Sequence, residues 1–250
     1  MSKNAIFITV RSASTRLPNK AHLKINGKKT IEYVIQQAKK SKLADTIVLC
    51  TTLEKEDDAL YDVAKNSNIE CFRGSVLDKL DRWQQAAKEH KIDFFVTADG
   101  DDLFCSSELM DLAFKQRKKN NSEFIEAGDI ICGSFTYGIS TEALNKACSI
   151  KDSDDTEMMW VYFTKTNICK IEKLKNVPDI YKRQDIRMTL DYQEDFDFFS
   201  KVINHFDGID YTTRDVVEYL NENEEVRKIN FFLEEKWREN QKNKTNLVVK

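Results

Sequence analysis

Between Arg11 and Lys20 the chain reads Arg-Ser-Ala-Ser-Thr-Arg-Leu-Pro-Asn-Lys, which puts three cations (Arg11, Arg16, Lys20) and three hydroxyls (Ser12, Ser14, Thr15) within ten residues. Guanidinium forks grip phosphate oxygens, and an ammonium supplies a point charge. Hydroxyls and backbone N–H groups complete a cradle, so a polyphosphate is the ligand these side chains suit. A solvated basic turn has the same composition. The Leu17-Pro18 step speaks for an ordered loop, because proline restricts the backbone on both sides. A second concentration of charge is Asp99-Gly100-Asp101-Asp102, where three carboxylates end an apolar run. Carboxylates so placed are costly unless solvent or a cation compensates them. Mg²⁺, which prefers one or two carboxylates plus substrate phosphates, is the expected cation. A third candidate is Asp191, which by itself reads as a helix N-cap with Glu194 completing a capping box.

Strands and helices alternate so as to carry these groups. Residues 5–10 form an apolar run that reads as a buried parallel strand, and the basic loop leaves its carboxyl end, where open α/β sheets bind ligands. Thr30 is the expected N-cap of a helix with Ile31, Val34, Ile35 and Ala38 on one face. Further strands are expected over residues 46–51, 69–72 and 92–98, separated by helices over 55–66 and from Val76 through Leu80 and Trp83 to Ala87. Trp83, at helical spacing, reads as core. Either Ser106 or Ser107 can cap the next helix. Beyond it, 124–128 and 130–132 look like strands, 142–148 like a short helix, and Asp155, Glu157, Trp160 and Tyr162 lie on an amphipathic segment. A strand then leads to Asp191, and a helix follows with Phe196, Phe199 and Ile203 inward. The architecture expected is α/β, a mostly parallel sheet with helices on both faces. It forms a single domain over 1–233 with a lobe around 122–175, followed by a polar tail over 234–250.

Composition narrows the function classes. The chain has 250 residues, 41% hydrophobic and 32% charged, enough for one full α/β core. A net charge of −3 lacks the basic footprint of bulk nucleic-acid binding, so a basic loop in a mildly acidic protein points to a small anionic ligand. The six cysteines are scattered without Cys-x-x-Cys pairs, which suits reduced thiols and a cytoplasmic location. No signal peptide or membrane-spanning run is expected. With seven glycines and neither Gly-x-x-x-x-Gly-Lys-Ser/Thr nor Gly-x-Gly-x-x-Gly, kinase and dehydrogenase readings fare worse.

The order Arg-x-x-Ser-x-Arg-Leu-Pro-x-Lys after an apolar first strand resembles the signature of the sugar-acid cytidylyltransferases, which include the Kdo and sialic acid activating enzymes. Asn19 stands where the family has glycine. Phe72-Arg73-Gly74-Ser75 followed by Asp78-x-x-Asp81-Arg82 is similar to the spore-coat polysaccharide (SpsF-like) branch. Val96 to Phe104 resembles the family's Gly-Asp-x-Pro-Leu motif, with Leu103 in place of proline. Leu190-Asp191-Tyr192-Gln193-Glu194-Asp195-Phe196 resembles its Asp-Thr-Pro-Glu-Asp-Leu element. The segment from Gly133 to Tyr137 lacks two acids that the branch often carries.

The resemblance implies a Rossmann-like three-layer nucleotidyltransferase fold of the nucleotide-diphospho-sugar transferase type. It implies transfer of CMP from CTP to an acidic sugar, with release of pyrophosphate, for surface polysaccharide biosynthesis. Asp101 and Asp191 would hold Mg²⁺. Arg11, Ser12, Ser14, Arg16, Lys20, Arg73, Ser75 and Gly100 would bind the nucleotide, and Lys20 and Arg11 would join the two aspartates in catalysis. A homodimer is expected, with CTP and a small acidic acceptor as partners and neither nucleic acid nor membrane. Two other readings fit the same residues: a nucleotide-sugar-dependent glycosyltransferase, and a catalytically silent relative that acts as a binding partner.

Overall fold

In a computed structural model, which describes residues 3–250, the alternation along β1 (Asn4–Thr9) decides the layering. Ala5 and Phe7 pack into one apolar cluster and Ile6 and Ile8 into another, all of them fully buried. A central strand covered on both faces requires this. After β1 come a hairpin of β2 (Lys24–Ile25) and β3 (Lys28–Lys29), then α1 (Thr30–Ala38), β4 (Thr46–Thr52), α2 (Asp58–Asn66), β5 (Glu70–Gly74), α3 (Lys79–His90), β6 (Phe94–Asp99) and α4 (Ser107–Asn120). The second half runs β7 (Phe124–Glu126), β8 (Tyr137–Ser140), α5 (Thr141–Ile150), α6 (Val161–Thr164), β9 (Ile171–Lys173), α7 (Gln193–His205), α8 (Thr213–Glu222), α9 (Glu224–Phe231) and α10 (Glu234–Lys244).

Among the described residues, seven strands form one sheet in the order β5-β4-β1-β6-β8-β7-β9. All pairings are parallel except those of β8 with β6 and with β7. α1, α2, α4, α7 and α8 supply Val34, Leu60, Met110, Phe199 and Val217 to one cluster. α3, α5 and α6 supply Trp83, Leu144 and Phe163 to the other. The mostly parallel, three-layer architecture expected from the sequence is the one observed. The chain steps outward from β1 through β4 to β5 and then returns to the far side of β1 for β6. That reversal leaves the carboxyl ends of β1 and β6 side by side, with Thr9 opposite Asp99, at the point where such sheets open a ligand crevice.

Several local expectations are corrected. Lys29, not Thr30, is the N-cap of α1: the Glu32 carboxylate accepts the Lys29 N–H at 2.7 Å, and the buried Thr30 hydroxyl instead donates to the Lys20 carbonyl. Val76 and Leu77 precede α3, because Asp78 caps it by accepting the Asp81 N–H at 3.0 Å; Leu77 is exposed. Ser106, not Ser107, caps α4. Residues 130–132 and 186–190 join no strand of the sheet. They meet through one bridge, Cys132 with Arg187, and Leu190 N–H donates to the Asp101 carbonyl at 2.9 Å. Phe196 is only partly buried, and Phe198 and Val202 share the inner face of α7 with Phe199 and Ile203. The polar stretch after residue 233 is helix α10, and Val249 beyond it bridges Lys151.

Two features hold the loops at the crevice. The buried Asp57 carboxylate accepts Ser12 N–H at 2.7 Å, Thr51 Oγ1 at 2.9 Å, and Thr52 N–H and Oγ1 at 3.1 and 2.5 Å. Against its burial, the hydrogen bonds from Thr52, Ser12 and Thr51 hold its pKa below the usual carboxylate value. Gly133, at φ +83°, lies so close to the 186–190 segment that a Cβ would sit 2.0 Å from the Met188 carbonyl oxygen. Gly27, at φ +79°, has no neighbour within 4 Å of such a Cβ. We therefore expect Gly27→Ala to cost about 1 kcal/mol from backbone strain alone. Gly133→Ala should cost on the order of 3 kcal/mol or more in urea denaturation, because backbone must also move. Equal costs would show that the close approach at Gly133 is not real. Asp57→Asn should cost about 2 kcal/mol at neutral pH, the usual worth of hydrogen bonds to a charged group. Since the folded pKa is depressed, that deficit should be full above the unfolded carboxyl pKa of about 4 and shrink as pH falls through the folded value. A deficit independent of pH would contradict it.

Candidate active site

Lys20 brings the two distant carboxylates together. Its Nζ donates to Asp101 Oδ2 at 2.6 Å, to Asp191 Oδ1 at 2.7 Å and to the Leu190 carbonyl at 2.8 Å. Lys20 arrives from the β1 loop, on a short 3₁₀ turn after Asn19, whose φ of +54° asparagine tolerates. Asp101 arrives from the turn after β6. Asp191 arrives on the segment docked to that turn by the Leu190–Asp101 backbone bond. Arg16 adds a second cation, 2.6 Å from Asp191 Oδ1.

The charges settle unequally. Burial disfavours the Lys20 ammonium, but Asp101 and then Asp191 outweigh it and push its pKa up. Burial raises Asp101, and Lys20 offsets this only partly because Asp191 and Asp99 stand close. Asp191 is held below the usual carboxylate value despite its burial, since Lys20 and Arg16 both reach it. Asp191 does not cap α7. Tyr192 is the N-cap residue, and Asp195, not Glu194, closes the turn by accepting the Tyr192 and Asp191 N–H groups at 3.0 and 2.8 Å. The Asp191 carboxylate is thereby left for the site.

The three acids after β6 have separate fates. Asp99 takes Lys79 Nζ at 3.2 Å and Asp101 takes Lys20. Asp102 turns inward against Gly133, where burial, with Asp101 and Asp99 nearby, pushes it well above the carboxylate range. Gly100 is needed for close packing: its N–H donates to Thr9 O at 2.8 Å, and a Cβ would lie 2.6 Å from Val10 Cβ. Arg11 pairs with Glu157 at 3.5 Å. Against burial, Lys79, Arg11 and Arg82 hold Glu157 below the usual carboxylate value. Trp83 is core, as expected, and its indole N–H donates to Thr9 Oγ1 at 2.8 Å.

Among the other expected nucleotide contacts, Ser12, Arg73 and Ser75 also make hydrogen bonds within the protein. Ser12 is buried, with its N–H on Asp57 and its hydroxyl between His22 Nε2 at 2.8 Å and the Glu56 carbonyl at 3.0 Å, so it braces the loop. Ser14 is half-buried on the loop. Arg73 donates to Thr52 O, Glu54 O and Asp58 Oδ1 at 2.7–2.9 Å and secures the β4–α2 connection rather than joining the carboxylates. Ser75 Oγ accepts Asp78 N–H at 3.1 Å before α3. The residues that the sequence reading missed are Asp57, Lys79, Arg187 and Asp195. Lys79 sits beside the marked Asp78 and Asp81, which was the available signal. Asp195 lies in the motif already singled out around Asp191, and Arg187 stands just before it.

As a donor set for Mg²⁺, Asp101 and Asp191 fit, because two hard carboxylate oxygens beside a basic loop suited to phosphate are what that ion takes. Among the described residues, no group of three or more His, Cys, Asp or Glu side chains forms a protein-only metal cage, and Mg²⁺ bound through substrate phosphates needs none. All six cysteines are free, and no described helix is long and apolar enough to cross a membrane.

Comparison with known proteins agrees with this geometry. A family model described as cytidylyltransferase matches residues 5–238. An uncharacterized protein of Methanocaldococcus jannaschii is 33% identical over 89% of this chain and 92% of its own length. A 3-deoxy-manno-octulosonate cytidylyltransferase of Chloroherpeton thalassium is 27% identical over 66% of this chain and 65% of its own. Among solved structures, a cytidylyltransferase from Leptospira borgpetersenii superposes with a TM-score of 0.82 at 26% identity, covering 91% of this chain and 98% of that one. A CMP-Kdo synthetase complexed with CTP shares the fold, with a TM-score of 0.60 at 12% identity over 82% of this chain and 99% of that one. With residues 5–238 matched by that model and the fold superposed in this way, the chain belongs to the cytidylyltransferase family and is a nucleotidyltransferase.

Proposed function

We propose that this enzyme transfers CMP from CTP to an acidic sugar of the Kdo or nonulosonate kind and releases pyrophosphate, with Mg²⁺ as cofactor. The observation that carries the reading is the convergence of Lys20 on Asp101 and Asp191 at 2.6 and 2.7 Å, at the carboxyl ends of β1 and β6. The similarity to the 3-deoxy-manno-octulosonate cytidylyltransferase supports the choice of a sugar acid as acceptor. The motif around Arg73 supports a relation to the spore-coat branch within the sugar-acid enzymes.

In this reading an acceptor oxygen attacks the α-phosphorus in line, the bond to the β-phosphate bridging oxygen breaks, and pyrophosphate leaves with that electron pair. Arg11, Arg16 and Lys20 neutralise the charge that builds on the phosphoryl oxygens, where preorganised cations act most strongly. Asp101 and Asp191 would hold Mg²⁺, which when bound supplies a Lewis acid that polarises phosphate and lowers the pKa of the acceptor hydroxyl. Lys20 lies between the two carboxylates and favours the charged form of each. Free thiols and the sugar-acid resemblance support a cytoplasmic setting in surface polysaccharide synthesis. A homodimer is proposed on the resemblance, and sedimentation as a monomer at micromolar concentration would exclude it.

The test is a screen of sugar acids with CTP and Mg²⁺, read as pyrophosphate release; consumption of a sugar nucleotide instead would favour a glycosyltransferase. Asp101→Asn and Asp191→Asn should each lower turnover about 100-fold or more, and the two losses should not add in the double variant because both disable one site. Lys20→Ala should slow turnover comparably. It should also lower thermal stability, since it leaves the Asp101 carboxylate without its cation and Asp191 with Arg16 as its nearest one. Near-wild-type rates for Asp191→Asn would remove Asp191 from the mechanism.

A further inference from the structure

We propose that the C-terminal helices are part of the catalytic apparatus: Asn230 of α9 and Glu234 of α10 hold Arg187 and Asp195 in a buried frame that positions the Asp191 carboxylate. The proposal rests on the reading of Asp191 as a site carboxylate, and it assigns Arg187, Asp195, Asn230 and Glu234 as positioning residues.

Hydrogen bonds connect all four of these residues. The Arg187 side chain is fully buried, with Nε on Asp195 Oδ1 at 3.0 Å, Nη2 on Asp195 Oδ2 at 3.2 Å and Nη1 on Glu234 Oε2 at 3.1 Å. Its guanidinium lies 5.2 Å from the centre of the Trp237 ring of α10. Asp195 is a hub: Oδ2 accepts the Asp191 and Tyr192 N–H groups, and Oδ1 accepts Asn230 Nδ2 at 2.8 Å. Asn230 Nδ2 also donates to the Arg187 carbonyl at 3.2 Å. The backbone that aims Asp191 is therefore fixed by a carboxylate whose own orientation depends on Arg187, and Arg187 takes its second counterion from α10.

The same geometry shows what Glu234 prevents. Arg187 Nη2 is 3.8 Å from Asp191 Oδ2, beyond hydrogen-bond reach, because Asp195 and Glu234 draw the guanidinium the other way. Without Glu234, Nη1 is left buried without a partner, and a buried unsatisfied donor is costly. The nearest relief is a shift toward Asp191, where Arg187 would compete with Lys20 and Arg16 for the carboxylate. An ion network retained only for stability is often replaceable by apolar side chains without loss. This one instead bonds the amide of the residue it serves.

The test compares full-length wild type with Glu234→Ala and Glu234→Gln, the latter keeping an acceptor oxygen without the charge. Amide hydrogen exchange at Asp191 and Tyr192 should be about tenfold faster in Glu234→Ala, with Glu234→Gln between it and wild type. With CTP, Mg²⁺ and Kdo as probe acceptor, kcat should fall roughly 10- to 100-fold while KM for CTP changes less than about threefold, as misplacement of a reacting group predicts. Unchanged exchange at Asp191 and Tyr192, or faster exchange with unchanged kcat, overturns the proposal. If Glu234→Ala does not fold, the same comparison is read on Glu234→Gln. If wild type itself releases no pyrophosphate with any sugar acid, the proposed function fails, and the exchange comparison still decides whether the frame holds residue 191.

Discussion

A single ammonium group lets two carboxylates share the opening of this sheet. Asp101 and Asp191 come from loops far apart in sequence, and Lys20 Nζ lies between them. Two acids that close, in a partly dehydrated crevice, would otherwise repel and one would take up a proton. The rest of the crevice serves that contact. The β1 loop is braced by Asp57 under Ser12 and by the Thr30 hydroxyl on the Lys20 carbonyl. The Asp101 turn is pressed against Val10 through Gly100, and the 186–190 segment is docked through Gly133 and Leu190. A buried ion group of this kind is poor value for stability alone, which is why a chemical use for it is the natural reading.

The sequence made the sheet and the two carboxylates legible because both depend on local signals. Apolar runs of strand length alternate with helical periodicity, and an acid directly after such a run lands at the carboxyl edge whatever the rest of the chain does. Asp191 reached the site by a different route from the one expected. Its preceding segment is not a sheet strand but an extended stretch hung on Cys132 and Asp101 by single backbone bonds, and no period in the sequence encodes such pairing. Its expected capping role went to Tyr192 and Asp195 because the helix begins one residue later.

Two of the expected phosphate-binding side chains also make long-range contacts. Arg73 donates to the Thr52 and Glu54 carbonyls, and the Ser12 N–H to Asp57, groups more than ten residues away in sequence. Composition shows what a side chain offers. Which partner takes the offer is decided by long-range packing. The same holds for the polar C-terminal stretch, which has little apolar face of its own yet folds as α10, anchored through Glu234 to a buried arginine.

The pairing of charges at the crevice has a consequence for binding. Lys20 and Arg16 rest on Asp191, Arg11 on Glu157 and Lys79 on Asp99, so each of these cations already has a carboxylate partner. A polyphosphate entering such a site must take cations away from carboxylates, and the acids it displaces would be left charged and partly dehydrated. A divalent cation arriving with the phosphates cancels that cost, because it neutralises the released carboxylates and the incoming oxygens together. In the proposed reading, nucleotide and metal would bind more readily as a pair than either alone. The overall charge of −3 does not oppose this: the loop is locally basic, and screening confines the influence of the distant surface acids to roughly a Debye length of 8–10 Å.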